Sequence, residues 1–349
     1  MRKKLIGLAV ASALAAPLAV QAQGSNVQIY GLLQPSVDFV DNGDDTGTSM
    51  ADNNSRLGFK GSEDLGNGLK AIFQLESAVD FDDRSGTGWT RRDSWVGLAG
   101  SFGSLVAGTK FTAYKSSTDF IDPFGDTIGD YNNVFGVPAF DSDGFNDRFT
   151  NGLHYTSPNF GGFNVALTYG LNEDADSDGL ENDGGDNNDD SWSAAVTYKL
   201  GGVTLVAAYE DQENRIFENT KAFKVGGGYT FAFGTTITAM YAKEDFGDAP
   251  GIGDLKRDLA FVAAKHKLGN IDLMASFTWA DDFDDLDDSA AKAWALGAAY
   301  NFSKRTNIGA YYAQVSNDDN AGFGFDSGYA PSDVGENVKG ISIRMRHAF

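Results

Sequence analysis

Residues 54–81 read N-S-R-L-G-F-K-G-S-E-D-L-G-N-G-L-K-A-I-F-Q-L-E-S-A-V-D-F. The first segment puts Leu57, Phe59 and Gly61 on one face and Arg56, Gly58, Lys60 and Ser62 on the other. The second alternates Leu69, Ala71, Phe73 and Leu75 with Lys70, Ile72, Gln74 and Glu76. A period of two is the mark of a β-strand. Between the segments, residues 63–68 are rich in Gly, Asn and Asp, as a tight connection requires. This is a hairpin with one apolar and one charged face. In a soluble sandwich the apolar face looks inward. In a membrane barrel it meets lipid and the charged face lines a watery lumen.

The rest of the chain decides between these. It opens on Met1-Arg2-Lys3-Lys4, followed by an apolar run from Leu5 to Val20 and small residues before Gln23. A basic start, a short apolar core and a small-residue cleavage site make an export signal over residues 1–22, leaving a mature domain at 23–349. Cleavage there removes three of the 27 basic residues and none of the 49 acidic ones, for a mature balance of −25. Such a chain is no nucleic-acid binder, since phosphate recognition needs a basic face. It has no cysteine, so disulfide and thiolate chemistry are closed to it. After the leader no apolar run of about 18 residues could form a spanning helix.

Alternation recurs along the chain, giving about sixteen strands. They fall at 26–40, 55–62, 69–80, 91–99, 103–110, 148–157, 162–170, 191–199, 203–210, 222–230, 235–244, 257–267, 270–279, 292–302, 306–315 and 338–349. Trp192, Ala194, Val196 and Tyr198 oppose Ser193, Ala195, Thr197 and Lys199; Ile341, Ile343 and Met345 oppose Ser342, Arg344 and Arg346. Short connections, such as 200–202, 231–234 and 268–270, take turns with long acidic ones. The long ones are 41–53, 82–90, 111–147, 171–190, 211–221, 245–256, 280–290 and 316–337. That rhythm puts all turns at one end and all loops at the other, as in an outer-membrane barrel. Aromatics near strand ends (Tyr155, Tyr169, Tyr198, Tyr209, Tyr229, Trp279, Tyr300, Phe302) fit interfacial girdles. Pro35 inside the first strand calls for a bulge or kink.

A barrel of this size encloses water rather than a side-chain core. Segment 111–147 carries Tyr114, Phe120, Ile121, Phe124, Ile128, Val134, Phe135, Val137 and Phe140. A loop bathed in water has no need of these. Folding inward against the wall would bury them and narrow the passage.

At this point the chain resembles the general diffusion porins of Gram-negative bacteria. The matching pieces are Ile29-Tyr30-Gly31, the block S-R-L-G-F-K-G-S-E-D-L-G from Ser55, Leu69-Lys70-Ala71, R-D-S-W-V-G-L from Arg92, Phe102-Gly103-Ser104-Leu105, Tyr155-Thr156-Ser157-Pro158 and the terminal Phe349. The resemblance implies an all-β transmembrane antiparallel barrel of 16 strands, trimeric, with the third long loop folded into each pore. It also implies strand arginines facing that loop's carboxylates, with Arg56, Arg92 and Arg148 at the matching positions. Alternation independently puts Arg56, Lys60 and Arg148 on the face away from lipid, and Lys110 ends its strand on that side. The loop's acids are Asp119, Asp122, Asp126 and Asp130. Opposed rows of charge across a narrow aqueous gap favour polar solutes. The acidic balance leans toward cations, although most of it lies in outer loops.

The expected partners are outer-membrane lipid and lipopolysaccharide, small hydrophilic solutes and ions, and further copies of the chain. No cofactor and no enzymatic activity are expected. Asp174, Asp176, Asp178 and Gly179 match the opening of a calcium loop, but Gly185 stands where its bidentate Glu belongs. His154, His266 and His347 lack ligand spacing. Gly226-Gly227-Gly228 has no following helix to cradle a phosphate. A substrate-selective channel and a barrel acting mainly as adhesin or receptor are the alternatives. A barrel lipase would need a Ser–His pair that no motif marks.

Overall fold

The computed structural model describes residues 26–80, 92–138, 144–171, 190–212, 220–249, 251–325 and 327–349. The leader, the Asp174–Asp176–Asp178 stretch and Phe140 lie outside them. The strands are β1 (Asn26–Leu33), β2 (Pro35–Asp41), β3 (Thr46–Asp52), β4 (Arg56–Gly66), β5 (Leu69–Ala78), β6 (Ser94–Gly100), β7 (Gly103–Phe111), β8 (Arg148–Thr156) and β9 (Phe163–Gly170). They continue with β10 (Ser191–Leu200), β11 (Val203–Gln212), β12 (Thr220–Thr230), β13 (Thr235–Ala249), β14 (Gly253–Leu268), β15 (Ile271–Ala280), β16 (Ala291–Asn301), β17 (Thr306–Asn317) and β18 (Val338–Ala348). All pairings are antiparallel, and β18 returns to β1 and β2 to close the sheet.

These eighteen segments form sixteen staves. Along β18, Arg344 pairs with Ser36 and His347 with Leu33, so β1 and β2 keep one register and are a single stave interrupted at Gln34. On its other side, Leu32 pairs with Arg56 and Pro35 with Asp52. The second stave therefore carries one residue more than the first between these points, a bulge over 53–55. Pro35, with no N–H to give, sits at the break.

Two expectations are corrected. Residues 41–53 are not a loop: β3 occupies Thr46–Asp52 and pairs with β2. Residues 245–256 are not a loop either, because β13 and β14 run on as a hairpin and approach within three residues of each other. Ladder hydrogen bonds satisfy this backbone once a neighbouring strand exists, whatever the local polarity of the sequence.

The outer face is apolar along its middle, with Val196, Leu205, Ile237, Val262, Leu296 and Ile343 all exposed. Aromatics bound it in two belts. Phe163 and Tyr169, Trp192 and Tyr198, and Trp294 and Tyr300 each lie six residues apart on one strand. At about 3.3 Å per residue that spacing spans roughly 20 Å along a tilted strand, which fits within the apolar band, about 25 Å tall, of an outer-membrane barrel. Belt members pair across strands: Phe163 with Tyr198 at 4.5 Å and Trp192 with Tyr209 at 5.0 Å between ring centroids.

The buried apolar residues lie inside the barrel, where the segment after β7 packs on the wall. Ile121, Phe124, Ile128 and Val134 have no exposure at all, and Tyr114 and Val137 are buried with them. The wall opposite is built of small residues, among them Ala195, Ala208, Ala222, Ala242, Ala293 and Ala295. A β-carbon on Gly297 would come within 2.9 Å of the Phe124 ring, so only glycine leaves Phe124 its seat there.

Candidate functional site: the luminal passage

The inward segment is fixed to the wall by a line of polar anchors. It opens with the short helix α1 (Ala113–Ser116), whose N-cap Thr112 accepts from the Lys115 amide. The helix's first free N–H groups go to the wall: Ala113 donates to the Thr168 hydroxyl at 3.0 Å and Tyr114 to the Ser193 hydroxyl at 2.7 Å. Further on, Thr238 donates to the Ile121 carbonyl at 2.6 Å and the buried Lys224 ammonium to the Thr118 hydroxyl at 2.7 Å. Arg257, fully buried and paired with Glu244 at 2.9 Å, donates to the Gly136 carbonyl at 2.8 Å. The Ile121 and Gly136 carbonyls gain in this way the partners that buried carbonyls need.

The tip of the segment reaches the opposite wall at Asp126. Its carboxylate accepts from the side-chain amides of Gln34 and Asn54, each at 3.0 Å, and lies 3.9 Å from Arg56 Nη1. Its carbonyl accepts from Arg344 Nη1 at 3.0 Å. Asp126 has φ 59°, a left-handed conformation that Asp and Asn tolerate better than most residues.

The remaining loop acids do other work. Asp122 accepts from the Phe124 and Tyr131 amides at 2.8 and 3.0 Å, and Asp130 from the Asp126 and Asn132 amides at 2.9 and 3.0 Å. They tie the segment's own turns. Burial, and then the charge of Asp130, push Asp122 well above the usual carboxylate range; burial raises Asp130 too. Asp119 is exposed to the lumen.

Two of the three family-matched arginines turn to carboxylates on the wall. Arg92 Nε donates to Glu76 at 2.7 Å, and Glu76 also accepts from the Tyr30 hydroxyl at 2.8 Å. Arg148 Nε donates to Asp93 at 2.8 Å, with its guanidinium 3.5 Å from the Phe111 ring centroid. Lys60 lies over the Tyr30 ring at 4.8 Å. Lys110 lies close enough for its charge to act on Asp119. Neither lysine borders the passage.

The passage itself is a cavity of about 610 Å³ between tip and wall. Arg56, Arg92, Asp119, Asp122, Asp126 and Asp130 all line it, so the geometry brings six of the sequence candidates together. Lys115, Lys265, Lys304, Arg344 and Arg346 line it as well, with Asp272. Arg344 and Arg346 escaped selection although alternation had already put them opposite the lipid face. The missing signal was closure, which sets β18 beside the first strand.

A closed antiparallel barrel with an apolar belt outside and a charged passage inside is a channel wall, and comparison gives it a family. A family model described as Gram-negative porin matches residues 7–320. The chain belongs to that family. This porin is accordingly an outer-membrane β-barrel and a passive diffusion channel. It is 32% identical over 376 residues to outer membrane porin protein 32 of Delftia acidovorans, with all of both chains covered. It is 31% identical over 328 residues to major outer membrane protein P.IB of Neisseria meningitidis, covering 88% of this chain and 91% of that one. Among solved structures, an anion-selective porin from Comamonas acidovorans superposes with a TM-score of 0.77 at 27% identity, covering 93% of this porin and 100% of that chain.

Proposed function

We propose that small hydrophilic solutes diffuse through this porin past a constriction between Asp126 and the arginines of the wall, and that anions are favoured there. The carrying observation is the charge of the lining. Arg56, Arg92, Lys115, Lys265, Lys304, Arg344 and Arg346 stand against Asp119, Asp122, Asp126, Asp130 and Asp272. Fixed charge in the narrowest water decides which ion enters, since field lines are focused between low-dielectric walls. Only five of the chain's 49 acidic residues are in this lining, and charges more than about 10 Å from it are largely screened by salt. This reverses the lean toward cations drawn from overall composition. The anion-selective neighbour from Comamonas acidovorans supports the same direction.

In this reading Arg92 and Arg148 set the field as paired charges on the wall, while Lys60 and Lys110 act from outside the narrow zone. The barrel assembles as a homotrimer, as the resemblance to general diffusion porins implies, with its aromatic belts at the lipid headgroups. The zero-current potential across a planar bilayer under a potassium chloride gradient tests the selectivity. A sign showing chloride as the more permeant ion is expected; the opposite sign refutes it.

A further inference from the structure

Three guanidinium groups gather where the inward tip meets the end of the chain. Arg344 donates to two neutral oxygens, the Asp126 carbonyl at 3.0 Å and the Tyr311 hydroxyl at 3.1 Å. Arg56 has the Asp126 carboxylate at 3.9 Å, but that carboxylate is already engaged by the amides of Gln34 and Asn54. Arg346 follows Arg344 on the same face of β18 and lines the cavity. Among the described residues it has no hydrogen bond or ion pair; Arg344 and Arg56 act on it as like charges and Asp126 as the opposing one.

Three cations thus share one carboxylate. Arginine does not shed its proton to relieve such crowding. Elsewhere in this lumen the arginines have partners of their own: Arg92 has Glu76, Arg148 has Asp93 and Arg257 has Glu244. At β18 no described wall residue supplies a carboxylate of its own, which leaves the water of the passage as the source of a balancing anion.

We propose that Arg344 and Arg346, with Arg56, form a binding station for the carboxylate or phosphate group of a small anionic solute. A guanidinium presents paired N–H donors in one plane, matched to two oxygens on one carbon or phosphorus atom. Chloride can use the charge but not the fork. The cavity of about 610 Å³ admits a small solute and its water. Solutes bearing such groups are then held briefly, and their flux saturates while that of chloride does not. Residence must stay short, because a site that binds too well obstructs its own channel.

The station rests on the anion-preferring reading of the passage, and the two can fail separately. Chloride current through the purified porin is recorded in planar bilayers at fixed ionic strength while inorganic phosphate is added. Current is expected to fall along a saturating curve. Arg346→Gln should raise the half-blocking phosphate concentration about ten-fold, the usual consequence of losing one charge-assisted hydrogen-bonded contact. Arg346→Lys, which keeps the charge and loses the fork, should fall between. Arg346 makes no hydrogen bond or ion pair among the described residues, so its variants test the site even where Arg344→Gln fails to fold. A linear decline without saturation, or an unchanged half-blocking concentration in Arg346→Gln, overturns the station. Saturating block in a channel whose zero-current potential shows no anion preference would sustain the station and refute the wider reading.

Discussion

Arg344 donates from Nη1 to the main-chain oxygen of Asp126 at 3.0 Å, joining the last strand to the tip of a segment 218 residues earlier. The bond closes the span that the segment makes across the lumen. It begins at Thr168 and Ser193, crosses Lys224, Thr238 and Arg257, and ends on the wall where the first and last strands meet.

Asp126→Asn should raise the preference for anions while leaving the segment in place. Asn keeps the size and tolerates the left-handed backbone; its one amide oxygen still accepts from Gln34 or Asn54, and the carbonyl that Arg344 uses is untouched. Removing one negative charge beside Arg56 should raise the chloride-to-potassium permeability ratio roughly two-fold, as one screened charge in a wet passage does. Zero-current potentials measure it; no change would take Asp126 out of the narrow zone.

Arg56→Ala and Arg148→Ala should differ in kind. Arg56 is a partly exposed partner at 3.9 Å, so its loss should move selectivity toward cations with little effect on stability. Arg148 holds Asp93 at 2.8 Å and packs on Phe111, so its loss should lower unfolding stability by about 1–3 kcal/mol. Thermal melts in detergent beside bilayer recordings separate the two; equal melting temperatures would contradict the assignment.

Gly297→Val should loosen the tip. The added carbon would meet the Tyr311 ring at 2.7 Å and the Phe124 ring at 2.9 Å, and Tyr311 is the residue that orients Arg344. Overpacking of this kind costs about 1–3 kcal/mol. Single-channel records should show extra conductance sublevels as the segment leaves its seat. A quiet, unchanged channel would mean that Phe124 has room the geometry denies it.

Acid should strengthen anion preference earlier than ordinary carboxylates allow. Asp122 and Asp130 have raised pKa values, so they take up protons on the way down from neutral pH before reaching the usual value of about 4. Each proton removes a negative charge from the passage, while the arginines keep theirs. The permeability ratio should therefore climb toward anions as pH falls from 7 to 4, with Asp122→Asn blunting the climb. A ratio that moves toward cations on acidification would have the wrong sign.

How far the sequence could be read depended on what a local pattern encodes. Alternation on β10 was plain because lipid bounds one face and water or packed loop the other, and the break near Pro35 was legible because proline has no N–H to give a ladder. β3 stayed hidden because T-G-T-S-M carries no apolar face, and the far ends of β13 and β14 because D-F-G-D-A-P-G reads as a turn; both exist through partners across the sheet. The inward segment betrayed itself by apolar residues that water would not tolerate. The partners of Arg92 and Arg148 did not, since Glu76 and Asp93 become neighbours only through sheet register. Gly226, set aside as a phosphate motif, proved to face Ile121 of that segment.

The inside-out arrangement of β18 meets its most direct test in thiol accessibility, made simple by the absence of cysteine from the chain. Arg346→Cys and Met345→Cys place single thiols on adjacent residues whose side chains point to opposite faces. With the protein in a bilayer, a charged water-soluble thiol reagent should label the Arg346→Cys variant quickly and lower its conductance. The Met345→Cys variant, whose residue faces lipid, should resist labelling and conduct as before. Rapid labelling at position 345 with protection at 346 would turn the strand around and contradict the passage described above.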